Sequence, residues 1–184
     1  MKGLGLGIGD EISVYKANMI IPQIEDNLTR SASIKIPEVC PVCGEKTVLK
    51  NENGIETLIC PNAKCPAKQI KLFTLFVSRD ALNIDGLSEA SLEKFIGEGF
   101  LKTLDDIFDL EEYKEEIVNM EGFGPTSYDN LISAIKKAQN TLPERLLYGL
   151  GITGIGKANA RLIASHCHNK WNDILRFQQK NYCK

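Results

Sequence analysis

The spacing of apolar residues changes character about a third of the way along this 184-residue chain. From Met1 to Arg30 it is the spacing of short strands. Gly3, Gly5, Gly7 and Gly9 sit among apolar residues, and Glu11–Lys16 then places Ile12 and Val14 on one face of an expected strand. Ile20–Ile24 is a second, which Pro22 restricts to a sheet edge or a bulge. Two strands cannot close a sheet, so residues 1–30 read as the end of a β domain. Residues 31–39 are a polar linker, residues 40–66 carry four cysteines, and residues 67–184 follow the helical period. Ile70, Phe73 and Val77 share one helix face there, and Leu92, Phe95 and Ile96 another. The expected fold class is mainly α with a small β module.

Short glycine turns break the helical part: Asp85-Gly86-Leu87-Ser88, Glu121-Gly122-Phe123-Gly124 and Thr153-Gly154-Ile155-Gly156. Gly86, Gly122 and Gly154 are 36 and 32 residues apart, which is a repeat signal. Each turn leads into a new helix. Ser88 is a suitable N-cap, Pro125 suits a first helical position, and Lys157 opens the helix carrying Leu162 and Ile163.

A hydrophobic content of 43% with 25% charged residues suits a folded globular chain. No apolar run approaches the roughly 20 residues of a membrane span, and no basic segment with an apolar core opens the chain. A cytoplasmic location without membrane contact is therefore expected. Net charge is −2, so any nucleic-acid contact must rest on a local surface rather than on a basic chain.

Six cysteines in such a chain point to metal more than to disulfides. Cys40-Pro-Val-Cys43 and Cys60-Pro-Asn-Ala-Lys-Cys65 are two pairs sixteen residues apart, close to the spacing of four-cysteine zinc sites. Each pair can converge on one ion from a tight turn, which Gly44 helps the first to make. Thr47–Lys50 and Glu56–Ile59 are expected to pair around Asn53-Gly54, returning the second pair of cysteines to the first. Four sulfurs fill a tetrahedral zinc, so the ion would be structural. Two disulfides, a redox pair or an iron–sulfur cluster are the alternatives. Cys167 and Cys183 lie outside the module; Cys167 reads as a buried free thiol on an apolar helix. His166 and His168 flank it but point in different directions on a helix, against a second metal site.

The glycine turns suggest an anion site. In Gly-apolar-Gly the middle residue anchors into the helix pair, while the missing side chains expose backbone N–H groups beside the next helix N-terminus. Gly86, Gly122, Gly124, Gly154 and Gly156 are the candidates, with Lys157 adding charge. Lys136, Lys137 and Arg161 are weaker ones, since surface charges are usually just solvated. Such sites read phosphates and carry no base information. The plainer reading is that each glycine only ends a helix.

Taken in order, Gly9-Asp10, Ile20-Ile21-Pro22-Gln23-Ile24, Cys40-Pro-Val-Cys43-Gly44, Cys60 to Ala67, Ile84-Asp85-Gly86-Leu87, Glu121-Gly122-Phe123-Gly124 and Leu150-Gly151-Ile152 resemble the NAD-dependent DNA ligases of bacteria. The resemblance runs to about Asn169. It implies the end of an OB fold in residues 1–30, a zinc finger in 40–66 and about three helix-hairpin-helix units in 67–184. It further implies zinc on the four cysteines, and duplex DNA, nicked, held through its phosphate backbone. NAD would serve only an adenylation domain outside this chain, the partner that performs catalysis. The family's lysine lies in Lys-x-Asp-Gly; Asn83-Ile84-Asp85-Gly86 here offers asparagine, which cannot form a lysyl adenylate. A fragment, inactive alone and lacking most of the OB fold, a fourth hairpin unit and a BRCT domain, is the expectation. A zinc-stabilised helical adaptor that binds protein is the competing reading, favoured by the acidic balance. A piece of another repair protein, such as a nuclease subunit, fits the cysteine spacing and the strands less well.

Overall fold

The computed structural model describes residues 2–52 and 54–180, and the chain divides into two compact units, residues 1–62 and 63–184. Cys183 lies outside the described residues, as does Asn53.

In the first unit a 3-10 turn, Lys2–Leu4, precedes strands β1 (Ile12–Ala17) and β2 (Ile21–Asn27), paired antiparallel from Ala17↔Ile21 to Ile12↔Asn27. The Ile20 N–H donates to the Ala17 carbonyl, with Asn18 and Met19 both at positive φ, the turn whose twist suits a hairpin. Ile20 is therefore a turn residue, and β2 starts one residue later than its apolar run and extends to Asn27. Ile12 and Val14 both stay exposed, so alternation here does not produce a buried face. Order comes from polar groups instead. Asn27 is fully buried, and its Nδ2 donates to the Leu4 and Gly5 carbonyls at 3.0 Å each and to Asp10 at 2.7 Å. The Asp10 carboxylate also accepts from the Gly7 N–H at 2.7 Å. The glycine-rich start is thus wrapped on one Asp–Asn pair, and a side chain at Gly7 would run into the Ser31 and Ser33 hydroxyls.

β3 (Val48–Glu52) and β4 (Ile55–Ile59) form a second antiparallel pair in the register Glu52↔Ile55 to Val48↔Ile59. Gly54, between the two strands, is at φ +81°, as an Asn-Gly hairpin signal leads one to expect.

The second unit is helical: α1 (Pro66–Val77), α2 (Glu89–Gly97), a 3-10 helix (Asp105–Tyr113), α3 (Lys114–Asn119), α4 (Pro125–Ala138), α5 (Pro143–Gly149), α6 (Lys157–His166) and α7 (Trp171–Lys180). Phe73, Leu92, Phe95, Ile107, Ile117 and Leu131 centre one core, each contributing about 1.5–3 kcal/mol by leaving water. Leu147, Ala160, Cys167 and Ile174 form a smaller one. The nine-residue 3-10 helix is long for its type. At its start the Asp106 carboxylate accepts from the Lys102 N–H at 2.7 Å and the Thr103 N–H at 2.8 Å. No helix among the described residues is long and apolar enough to cross a membrane.

Candidate functional site

The cysteines are gathered by local turns. The Gly44 N–H donates to the Cys40 carbonyl and the Cys40 N–H to the Glu45 carbonyl, folding 40–45 into a tight knuckle with Gly44 at φ +71°. The β3–β4 hairpin delivers Cys60 directly after its last strand. Cys65 is the N-cap of α1, with Pro66 at the first helical position. All four sulfurs lie within 4.8 Å of one another. Zn–S bonds of about 2.3 Å put sulfurs about 3.8 Å apart in a tetrahedron, so the set fits one zinc ion. The Cys43 and Cys60 sulfurs are 3.5 Å apart, well beyond the about 2.05 Å of a disulfide, and none of the four cysteines is in a disulfide. Convergence of four sulfurs, rather than separation into two pairs, favours a shared ion over two bridges.

The thiols differ in acidity. Backbone N–H groups of Cys43 and Val42 lower Cys40 to about 6. Burial, reinforced by the neighbouring Cys43 and Cys40 sulfurs, pushes Cys60 up to about 12. Without a cation one thiol ionises readily and its charge opposes the next; a divalent ion removes that conflict because coordination deprotonates thiols outright. Four thiolates leave zinc no open position, so the ion would brace the turns rather than activate water. Cys167 is a buried free thiol, and among the described residues it forms no second ligand group with His166 and His168.

The three glycine turns share one backbone plan. Gly86, Gly122 and Gly154 have φ of +95°, +88° and +84°, the left-handed region where only glycine is at ease. One apolar residue follows and packs inward: Leu87 is buried, the Phe123 ring lies 5.2 Å from the Phe95 ring and tilted 32° to it, and Ile155 lies against the smaller core. The next residue caps a helix. Ser88 Oγ accepts from the Ser91 N–H at 3.1 Å at the start of α2, whereas Gly124 and Gly156 have no side chain to offer α4 and α6.

The turns then diverge. The Gly124 N–H donates to Ser127 Oγ at 2.9 Å, so one donor of the second turn is satisfied within the chain. At the third, no side chain caps α6. Lys157 there is paired with Asp80 and lies 5.7 Å over the Tyr148 ring. Lys136 pairs with Glu111 at 2.9 Å, and Arg161 sits 3.7 Å from Glu144.

Three contributors escaped the pattern-based reading. Arg145 Nε donates to the Ala81 carbonyl at 2.6 Å and its Nη2 to the Arg79 carbonyl, fastening α5 to the turn after α1. Lys94 Nζ donates to the Glu121 carbonyl at 2.8 Å, bracing the second glycine turn from α2. Gly151, at φ +63°, passes so close to α1 that a methyl would meet Leu72 at 2.8 Å. No sequence signal separates such an arginine or lysine from solvated ones. Gly151 was visible only as a residue of the resemblance.

No family model matches the chain. It is 58% identical over 174 residues, 95% of its length, to a DNA ligase of Ruminiclostridium cellulolyticum. The similarity is to one segment of DNA ligases. A DNA ligase of Lachnoclostridium phytofermentans is 52% identical over 95% of the chain, and one of Fusobacterium nucleatum 40% identical over 88%. The chain spans only about a quarter of the length of these ligases: 26%, 27% and 24%. At 95% coverage the matched stretch takes in both the cysteine cluster and the three glycine turns.

Proposed function

We propose that this chain is the sequence-independent DNA-backbone-binding segment of an NAD-dependent DNA ligase. It holds nicked duplex while the catalytic part of the same ligase seals the break. Gly86, Gly122, Gly124, Gly154, Gly156 and Lys157 line the phosphate contacts of helix-hairpin-helix units. Cys40, Cys43, Cys60 and Cys65 hold a structural zinc, and residues 1–30 belong to an OB fold. The adenylation lysine and its NAD lie elsewhere in the ligase, because Asn83-Ile84-Asp85-Gly86 serves as the approach to the first turn.

The observation that carries this reading is the openness at Gly124 and Gly156. Neither has a positive φ, and a Cβ built on either meets nothing within 4 Å. The chain's own packing gives no reason for glycine there. A phosphate approaching the helix N-terminus does, because a side chain would hold it off the N–H donors. The net acidity that favoured an adaptor is concentrated in one place. Residues 105–116 hold seven of the 24 acidic residues and one basic residue, leaving 21 basic against 17 acidic elsewhere. The remainder is a net +4, so outside that segment the chain is basic on balance.

Gly156→Val, combined with Gly124→Val, tests the reading. The expected outcome is at least about tenfold weaker binding to duplex DNA with helical circular dichroism unchanged, as one or two backbone hydrogen bonds to phosphate are blocked. Unchanged affinity removes the turns from the interface.

A further inference from the structure

Beside the third glycine turn, the segment after α1 meets α5 and α6 around a cavity of about 280 Å³ lined by Arg79, Asp80, Glu144, Arg145, Lys157 and Arg161, with Tyr148 in its wall. Four cations face two carboxylates there. Arg145 is held in place by its bonds to the Ala81 and Arg79 carbonyls, so its charge is fixed at the rim. Arg161 is mostly exposed and only 3.7 Å from Glu144, a loose pairing. Lys157 and Asp80 are both more than half exposed, so their ion pair is weak and exchangeable.

Asp80 already senses this place as an anion would. Its carboxyl is held below the usual range, first by the hydrogen bond from Lys157 and then by the charges of Lys157, Arg145 and Arg79. α6 opens here without a side-chain cap, and its N-terminal end adds positive potential at the same point.

We infer that this cluster is a binding site for an internucleotide phosphate of duplex DNA, and that Asp80 gates it by occupying Lys157 until the phosphate displaces the carboxylate. The inference rests on the backbone-binding reading and deepens it: Asp80 is a built-in competitor that keeps affinity low, while Arg79 and Arg161 complete the grip. Displacement needs no rearrangement of the fold, since the exchanged groups are on the surface.

The test is fluorescence anisotropy of the zinc-loaded full chain on duplex DNA across a salt series, comparing the unaltered chain with Asp80→Asn and with Arg79→Gln/Arg161→Gln. Asp80→Asn is expected to bind up to about fivefold tighter. The double variant should bind more weakly, with a slope of log K against log salt shallower by about 0.9 for each phosphate that the arginines no longer neutralise. A damaged fold cannot produce the gain, so Asp80→Asn separates gating from a structural role. If the unaltered chain binds and Asp80→Asn matches it in affinity and slope, the gate is overturned while backbone binding stands. Absence of binding by every variant at low salt overturns both. Inorganic phosphate competing at low millimolar concentration, at constant ionic strength, would assign the site to free phosphate and overturn the diester assignment.

Discussion

Asp106 shows how one side chain sets a local structure. Its carboxylate closes the start of the 3-10 helix by accepting from two backbone N–H groups, and those bonds, Thr103 first and then Lys102, hold its pKa below the ordinary 3.8. A depressed carboxyl stabilises the fold fully above its unfolded value and loses that contribution as pH falls through its folded value. Acid unfolding followed by circular dichroism should therefore show a stability loss beginning below about pH 4, and Asp106→Asn should flatten it. An unaltered acid profile would mean that the two bonds contribute nothing measurable. The same scale explains what sequence made legible and what it hid. Gly86, Gly122 and Gly154 were readable because a left-handed turn before a helix demands glycine. The burial of Asn27 and the tether formed by Arg145 were not, because each depends on partners up to 66 residues away, and polar side chains carry no period.

Helix starts and the cysteine hairpin were the most legible elements. Ser88, Pro125 and Lys157 open α2, α4 and α6 where the capping rules place them. Ser88→Ala should lower stability by about 1 kcal/mol in denaturant titration, the usual worth of a serine N-cap; a change below about 0.3 kcal/mol would assign the start of α2 to packing alone. The Asn53-Gly54 signal likewise fixed the β3–β4 pairing. The 3-10 helix was hidden because its acidic run carries too weak an apolar pattern to mark an element, although Ile107 and Leu110 are fully buried. For the cysteine module, the proposed ion would hold together four thiols that have no apolar core of their own. Chelation, or Cys65→Ser, is expected to abolish the cooperative unfolding of residues 40–60, read as loss of amide-exchange protection in β3 and β4, while the helical core keeps its own. Full protection in the metal-free chain would show that the hairpin folds without zinc.

Across the whole chain, two units of different construction follow one another in the sequence. The first is held by polar contacts, and leaves Ile8, Val14, Met19 and Ile20 more than half exposed. The second has a larger and a smaller apolar core, and its helices α4 and α6 start from glycine N-caps. Charge is divided differently, with the acidic run of residues 105–116 inside the second unit set against a net positive remainder, a contrast that the total of −2 conceals. The likeness to a segment of DNA ligases was legible from the order of motifs more than from any sum over the chain, since net charge averages over local differences. The central claim is sequence-independent binding to the DNA backbone. It is tested most directly by titrating the zinc-loaded chain against nicked and intact duplexes of two unrelated sequences at several salt concentrations. The account predicts salt-sensitive binding indifferent to sequence, with a log–log slope of about −2 to −3 if each glycine turn engages about one phosphate. Absence of binding at the lowest salt, or binding that depends on base sequence and ignores salt, would contradict it.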